Sequence, residues 1–257
     1  MSGVPSFCAA AAIALAAVWP LRRLALRVGL VDRPGPRKAH RRPTPYLGGC
    51  AVLAGASVIA LGQPWEPAAL VLLVAMAGLG LCDDARPAPV RTKLLVELAL
   101  AIVAVDLGFS LQVTGLPAAD GALTVLWLVG LTNSFNLLDN MDGLSSTVAA
   151  SALVAMAVVA PGTAGVALPL AGAVAGFLVA NLPPARVFLG DAGSLMIGFG
   201  VGLVGVRAAA GVGGTGGLVV LVAPVSVALF DTALVVVSRL RSGRPVQVGR
   251  ASCRERV

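Results

Sequence analysis

From residue 4 to residue 238 the sequence passes through nine apolar stretches, at about 4–21, 46–62, 65–82, 93–109, 121–138, 143–161, 164–182, 192–209 and 214–238, and the segments between them hold nearly all the charge. A helix needs about 20 apolar residues, with roughly 17 as the lower limit, to cross a bilayer's hydrocarbon core. Inside that core each backbone polar group must find its partner within the protein. The pattern therefore predicts an all-α fold, a polytopic integral membrane helix bundle of about nine transmembrane helices. Composition agrees: 58% of the residues are hydrophobic and 12% charged, against about a quarter charged in soluble domains. The first apolar stretch has the same character as the eight that follow, so it reads as a retained helix rather than a cleaved signal. Cys8, Cys50, Cys82 and Cys253 lack paired spacing, which argues against a disulfide framework and a zinc site. With aromatic residues at 4%, close helix contacts are expected at small residues such as Gly172 and Gly176, spaced as in GxxxG.

If the connections alternate sides, one set comprises 22–45, 83–92, 139–142, 183–191 and 239–257. Of the 19 Lys and Arg residues, all but Arg207 lie in that set or at its helix ends. The positive-inside rule then puts this set in the cytoplasm and the N-terminus outside. The acids sort in the same way. Glu66, Asp106 and Asp120 fall outside, whereas Asp32, Asp83, Asp84, Asp139, Asp142 and Asp191 gather on the cytoplasmic face. Within NSFNLLDNMDGLSS, residues 133–146, the spacing of three keeps Asn133 and Asn136 on one helical stripe leading to Asp139 and Asp142. Polar groups at that depth must face the bundle interior or a wet cavity.

Four polar stretches share this face: DRPGPRKAHRRPTPYLGG (32–49), CDDARPAPVRTK (82–93), the Asn-rich stretch, and RVFLGDAGS (186–194); SRLRSGRP (238–245) follows the ninth helix. Acids interleaved with bases suit a divalent cation that carries an anionic phosphate substrate. Carboxylate and amide oxygens fit magnesium, which takes only one or two protein carboxylates, while Arg and Lys hold phosphate oxygens. The adjacent Asp83 and Asp84 repel each other unless a cation or Lys93 compensates. Blander readings exist for several of these residues. Asp191 precedes a small-residue helix and could be its N-cap, with Ser194 three residues on. The basic loop could serve as a topology determinant and an attractor of anionic lipid. His40 reads first as a solvated loop residue, and Asp231 as a buried polar contact outside the site. The glycines of PYLGG would let a backbone approach a ligand.

Together these four stretches resemble the polyprenyl-phosphate N-acetylhexosamine-1-phosphate transferase family, glycosyltransferase family 4, over about residues 28–248. The third motif departs from the family at Asn140, where Gly is usual. After SRLRSGRPVQVGR the family continues through a His-containing loop into one or two further helices, whereas this chain ends in ASCRERV. The resemblance thus implies one membrane-embedded phosphoglycosyl transferase domain over 1–249, an unrelated tail at 250–257, and a C-terminal truncation. It also implies a reaction in which undecaprenyl phosphate attacks the β-phosphate of a UDP-sugar at the cytoplasmic face of the inner (plasma) membrane. The products are polyprenyl diphosphate sugar and UMP, the first membrane step of cell-wall or surface polysaccharide synthesis.

The family also implies the roles. Asp191 and Asp139 would bind magnesium, with manganese as substitute, and Asn136 would position the diphosphate. Lys93, Arg37, Lys38 and His40 would hold phosphate charge, with Asn133 and Arg244 also binding substrate. Asp83, Asp84 and Asp142 complete the catalytic set. Asp83 would be the general base, or would orient phosphate instead, because a phosphate monoester with a second pKa of about 6 is already ionised at neutral pH. The first loop resembles the branch using UDP-N-acetylglucosamine more than the phospho-MurNAc-pentapeptide transferase branch. The bilayer is the setting, nucleic acid is not a partner, and the family suggests a homodimer. An ion-coupled transporter is the rival class, but it would place polar residues at the bilayer midplane. A CDP-alcohol-type phosphotransferase would need Ala-Arg where DGLSS stands.

Overall fold

The computed structural model describes residues 3–32, 43–61 and 66–243. Helix α1 spans Val4–Val28, α2 Gly48–Ala56 with a 3-10 turn Ser57–Leu61, α3 Glu66–Ala85, α4 Val90–Asp106 and α5 Pro117–Leu138. Then come α6 Leu144–Val159, α7 Ala164–Asn181, α8 Gly190–Val212, α9 Gly214–Val222 and α10 Ser226–Arg241, the last two joined by the 3-10 turn Ala223–Val225. A helical segment stands at each of the nine expected spans once α9 and α10 are taken as one run, Gly214–Arg241. Among the described residues six segments are long and apolar enough to cross a membrane by themselves; Gly48–Leu61 and Leu144–Val159 are apolar but shorter. Helix α4 is interrupted in hydropathy by Arg91, Lys93 and Glu97. The chain is a multi-pass all-α membrane protein.

Three boundaries differ from the expected ones in ways that matter to the site. Helix α1 continues through Arg22, Arg23 and Arg27 until Gly29, whose left-handed φ of 77° ends it. Long arginine side chains let a helix run past the hydrocarbon edge with their charges in the interface. Helix α3 runs on through Asp83 and Asp84, so both acids belong to its last turn. Helix α4 begins at Val90, directly after Pro89, which sets Lys93 in its first turn. A two-residue antiparallel pairing, Val31 with Pro45 and Asp32 with Thr44, is the only strand pairing among the described residues.

Helix α8 is the central pillar, buried over nearly its whole length, and α3, α5, α2, α6 and α9 pack around it. Helix α1 lies along α7 and α2. The expected small-residue contact is present there. A Cβ on Gly172 would come within 2.1 Å of the Phe7 carbonyl oxygen, and one on Gly176 within 2.2 Å of that of Ala11. Backbone-to-backbone packing of this kind drives helix association where lipid removes the hydrophobic effect. Large apolar side chains such as Val71, Leu126, Val158 and Phe230 are exposed, as lipid-facing positions should be.

Candidate active site

Four helix ends meet at one end of the bundle: the last turns of α3 and α5 and the first turns of α4 and α8. Acids at the C-terminal end of a helix oppose its macrodipole, so Asp83 and Asp84 need compensation, and each has its own. Asp83 accepts the Ala88 N–H at 2.7 Å through Oδ1 and lies 3.1 Å from Lys93 Nζ through Oδ2. Asp84 faces the N-terminus of α8, accepting from the N–H of Asp191 at 3.2 Å and of Ala192 at 3.0 Å. A carboxylate there satisfies orphan donors and sits at the favourable end of the α8 dipole. Asp84 is therefore the acid at the N-terminus of α8, which corrects the capping reading of Asp191: that side chain turns instead toward α4 and α5.

Asp191 is held from both sides. Its Oδ2 is 2.9 Å from Lys93 Nζ, and its Oδ1 accepts from Asn136 Nδ2 at 3.3 Å. Lys93 thereby ties Asp83 to Asp191, the compensation expected from sequence. Asn136 spends its second N–H on Ser194 Oγ at 2.9 Å. With both amide hydrogens engaged, only its carbonyl oxygen is left for a ligand, so it can accept but cannot donate to a diphosphate. Ionised phosphate oxygens only accept, so in this arrangement the Asn136 side chain makes no direct hydrogen bond to them.

Asp139 is the C-cap of α5. Burial pushes its carboxyl up to about 8, and the negative charges of Asp191, Asp84 and Asp142 add to the shift. Asp139 therefore feels the charge of the other three acids. Asp142 accepts the Ala185 N–H at 2.9 Å and so pins the segment between α7 and α8. Asn181, which the motifs did not single out, does similar work at 3% exposure, accepting from the Gly143 N–H at 3.0 Å and donating to the Val187 carbonyl at 3.1 Å. Asn133 donates to Glu97 Oε2 and to the Val129 carbonyl. Glu97, 1% exposed, was also missed from sequence, although its position one turn after Lys93 was a usable signal.

Arg37, Lys38, His40 and Arg244 lie outside the described residues. The flanks of the first loop are described, and they correct one expectation. The glycines of PYLGG admit protein backbone rather than a ligand: the Gly48 N–H donates to the Phe188 carbonyl at 3.1 Å and the Gly49 N–H to that of Leu189 at 2.9 Å. A Cβ on Gly49 would sit 2.2 Å from the Gly193 nitrogen. The Phe188 N–H in turn donates to the Pro45 carbonyl at 2.8 Å, so the first and fourth motifs run side by side. Across the bundle, Asp120 has a purely local occupation, accepting from the backbone of Val113, Thr114 and Gly115.

Among the described residues no three Asp, Glu, His or Cys side chains form a ready-made metal cage. Asp139 feels the charge of Asp191 and Asn136 bonds to Asp191, a donor set too small to saturate a metal alone. It fits magnesium, which uses one or two carboxylates and completes its octahedron with water and substrate phosphate.

The profile of glycosyl transferase family 4 matches residues 67–209, from α3 into α8. A probable undecaprenyl-phosphate N-acetylglucosaminyl 1-phosphate transferase of Bacillus subtilis is 30% identical, covering 88% of this chain and 68% of the relative. A decaprenyl-phosphate N-acetylglucosaminephosphotransferase of Mycobacterium tuberculosis is 29% identical, over 91% of this chain and 70% of its own length. A phospho-N-acetylmuramoyl-pentapeptide-transferase of a Synechococcus species is 33% identical over 66% of this chain, and the chain spans 57% of it. The profile covers more than half of the sequence and includes the paired aspartates, the Asn-rich stretch and Asp191: the chain belongs to glycosyl transferase family 4.

Proposed function

We propose that the protein transfers N-acetylglucosamine-1-phosphate from UDP-N-acetylglucosamine to undecaprenyl phosphate at the cytoplasmic face of the bacterial inner membrane, releasing UMP. The observation that carries this reading is the meeting of Asp83, Lys93, Asn136 and Asp191, from four helices, at one end of a lipid-embedded bundle. An isoprenoid chain can lie among the helices while its phosphate reaches a water-soluble nucleotide at the helix ends. The N-acetylglucosamine branch is favoured over the muramoyl branch by relatives that match a larger share of the chain.

In the reaction an oxygen of the lipid phosphate forms a bond to the β-phosphorus, and the bond from that phosphorus to the bridging oxygen breaks, leaving UMP. Asp139, Asp191 and the Asn136 carbonyl would hold magnesium, which when bound neutralises phosphate charge and stabilises charge on the leaving group. Lys93 sits between Asp83 and Asp191, where its ammonium can also meet a phosphate oxygen. Both oxygens of Asp83 already accept hydrogen bonds, one from backbone and one from Lys93, so Asp83 positions Lys93. The nucleophile needs no base at neutral pH. Asp84 holds the first turn of α8 and with it the Asp191 backbone.

The test is UMP release by the purified protein with undecaprenyl phosphate, magnesium and a panel of UDP-sugars. UMP should appear with UDP-N-acetylglucosamine, stop when EDTA is added, and return with magnesium or manganese. If no UDP-sugar yields UMP from folded protein, the reading is wrong.

A further inference from the structure

Glu97 is a buried acid that the reaction described above does not use. It projects from α4 one turn beyond Lys93 and is 1% exposed. One oxygen takes the Asn133 amide, and the other has no hydrogen-bond partner among the described residues. Burying a carboxylate with one oxygen unpaired is costly. What Glu97 does is visible on Asn133. That amide has two N–H groups, one given to Glu97 and the other to the Val129 carbonyl 2.9 Å away. A flipped amide would set its carbonyl oxygen against two acceptors at once. Asn133 is thus locked with both hydrogens turned to protein, and only its carbonyl oxygen is left for a ligand.

One turn along α5, the Asn136 amide is oriented by the Asp191 carboxylate and also donates to Ser194 Oγ. Helix α5 therefore carries two oriented amide carbonyls on one stripe. The second is fixed by a proposed magnesium ligand. The first is fixed by a residue whose only described hydrogen-bond partner is Asn133, and Asn133 itself is partly exposed. An acceptor so placed selects for a donor. An ionised phosphate and an isoprenoid have none, whereas the sugar nucleotide carries hydroxyl and N–H groups.

We propose that Glu97 is a positioning residue that orients Asn133, so that the Asn133 carbonyl accepts a hydrogen bond from a hydroxyl or N–H of the sugar nucleotide. The proposal rests on the transferase reading. Its consequence is selective: disturbing the pair weakens the nucleotide substrate and spares the lipid phosphate.

The experiment varies each substrate separately against wild type, Glu97→Leu, Glu97→Gln, Asn133→Leu and the Glu97→Leu/Asn133→Leu double variant, following UMP. Loss of one buried hydrogen bond to substrate predicts a rise of about tenfold in KM for the UDP-sugar with either Leu variant. KM for undecaprenyl phosphate should stay within about twofold, and the double variant should be no worse than the single ones. Glu97→Gln keeps an acceptor for the Asn133 N–H and should return KM to within about threefold. Equal rises in both KM values, no rise at all, or Gln as damaging as Leu would overturn the proposal. If Glu97→Leu does not fold, Asn133→Leu and Glu97→Gln carry the same two opposed expectations. Wild-type protein that releases no UMP would count against the transferase reading, whereas wild-type turnover with unaffected variants would count against Glu97 alone.

Discussion

Asp84 offers the sharpest separation between holding the fold and binding the metal. Its carboxylate takes two backbone N–H groups at the start of α8, at 3.2 and 3.0 Å, and is itself 8% exposed. Removing it in Asp84→Ala leaves two nearly dry donors without a partner. Hydrogen bonds to a charged group contribute about 1.5–3 kcal/mol each, and the helix dipole adds a further 0.3–1, roughly. Against this, deletion relieves the repulsion that Asp84 exerts on Asp139. The two bonds and the dipole together amount to about 3–7 kcal/mol, from which the relieved repulsion subtracts. Asp84→Asn keeps one acceptor oxygen and sheds the charge, so about half that loss is expected, in line with Asn as a good capping residue. Thermal and denaturant unfolding in detergent, each with and without magnesium and a UDP-sugar, would measure it. In Asp84→Asn, magnesium affinity should stay within a few-fold of wild type, whereas Asp191→Asn should lose it. Unaltered stability of Asp84→Ala, or loss of magnesium binding in Asp84→Asn comparable to that in Asp191→Asn, would refute the assignment of Asp84 to the helix end.

Three further outcomes follow from the packing. Gly80→Ala would drive a Cβ to 2.2 Å from the Asp191 carbonyl oxygen and 2.5 Å from the Ala192 Cα, so α3 and α8 must part, at a cost of about 1–3 kcal/mol, and UMP release should collapse. Gly78→Ala, two residues away with nothing within 4 Å of the added methyl, should leave turnover intact and stabilise α3 by about 0.5–1 kcal/mol through helix propensity; comparing the two melting curves checks both. Lys93→Met removes the ammonium that separates Asp83 from Asp191, and losing this partly buried bridge should cost about 1–3 kcal/mol, between the exposed and buried cases; a smaller loss when magnesium is present during unfolding would show the cation standing in for the lysine. Gly176→Leu should separate α1 from α7, read out as loss of a crosslink between cysteines introduced on those two helices.

Much of the helical scaffold was legible because the bilayer imposes a length, and a run of Ala, Leu and Val ending at Pro, Gly or charge displays that length directly. The convergence of Asp83, Lys93, Asn136 and Asp191 was legible for a related reason: polar side chains in so apolar a chain have few places to go. Other features left no local trace. The acid at the start of α8 comes from Asp84, 107 residues earlier, while a search near Asp191 finds only Asp191 itself. The pairing of Pro45, Gly48 and Gly49 with 188–189 is made by backbone groups, which every sequence carries alike. Glu97 was hidden because a single acid in an apolar run looks like a tolerated impurity, and only its bond to Asn133, 36 residues on, gives it a purpose.

The central place of α8 bears on how the molecule is made. Four of the helices that surround it, α2, α3, α5 and α6, leave the ribosome first, so each enters the lipid before the pillar it will lean on exists. Until that late segment arrives, Asp84 has no helix end to face and Gly80 has no neighbour to touch. These early helices complete their packing only when that glycine-rich segment enters the bundle, and the working end is complete only then.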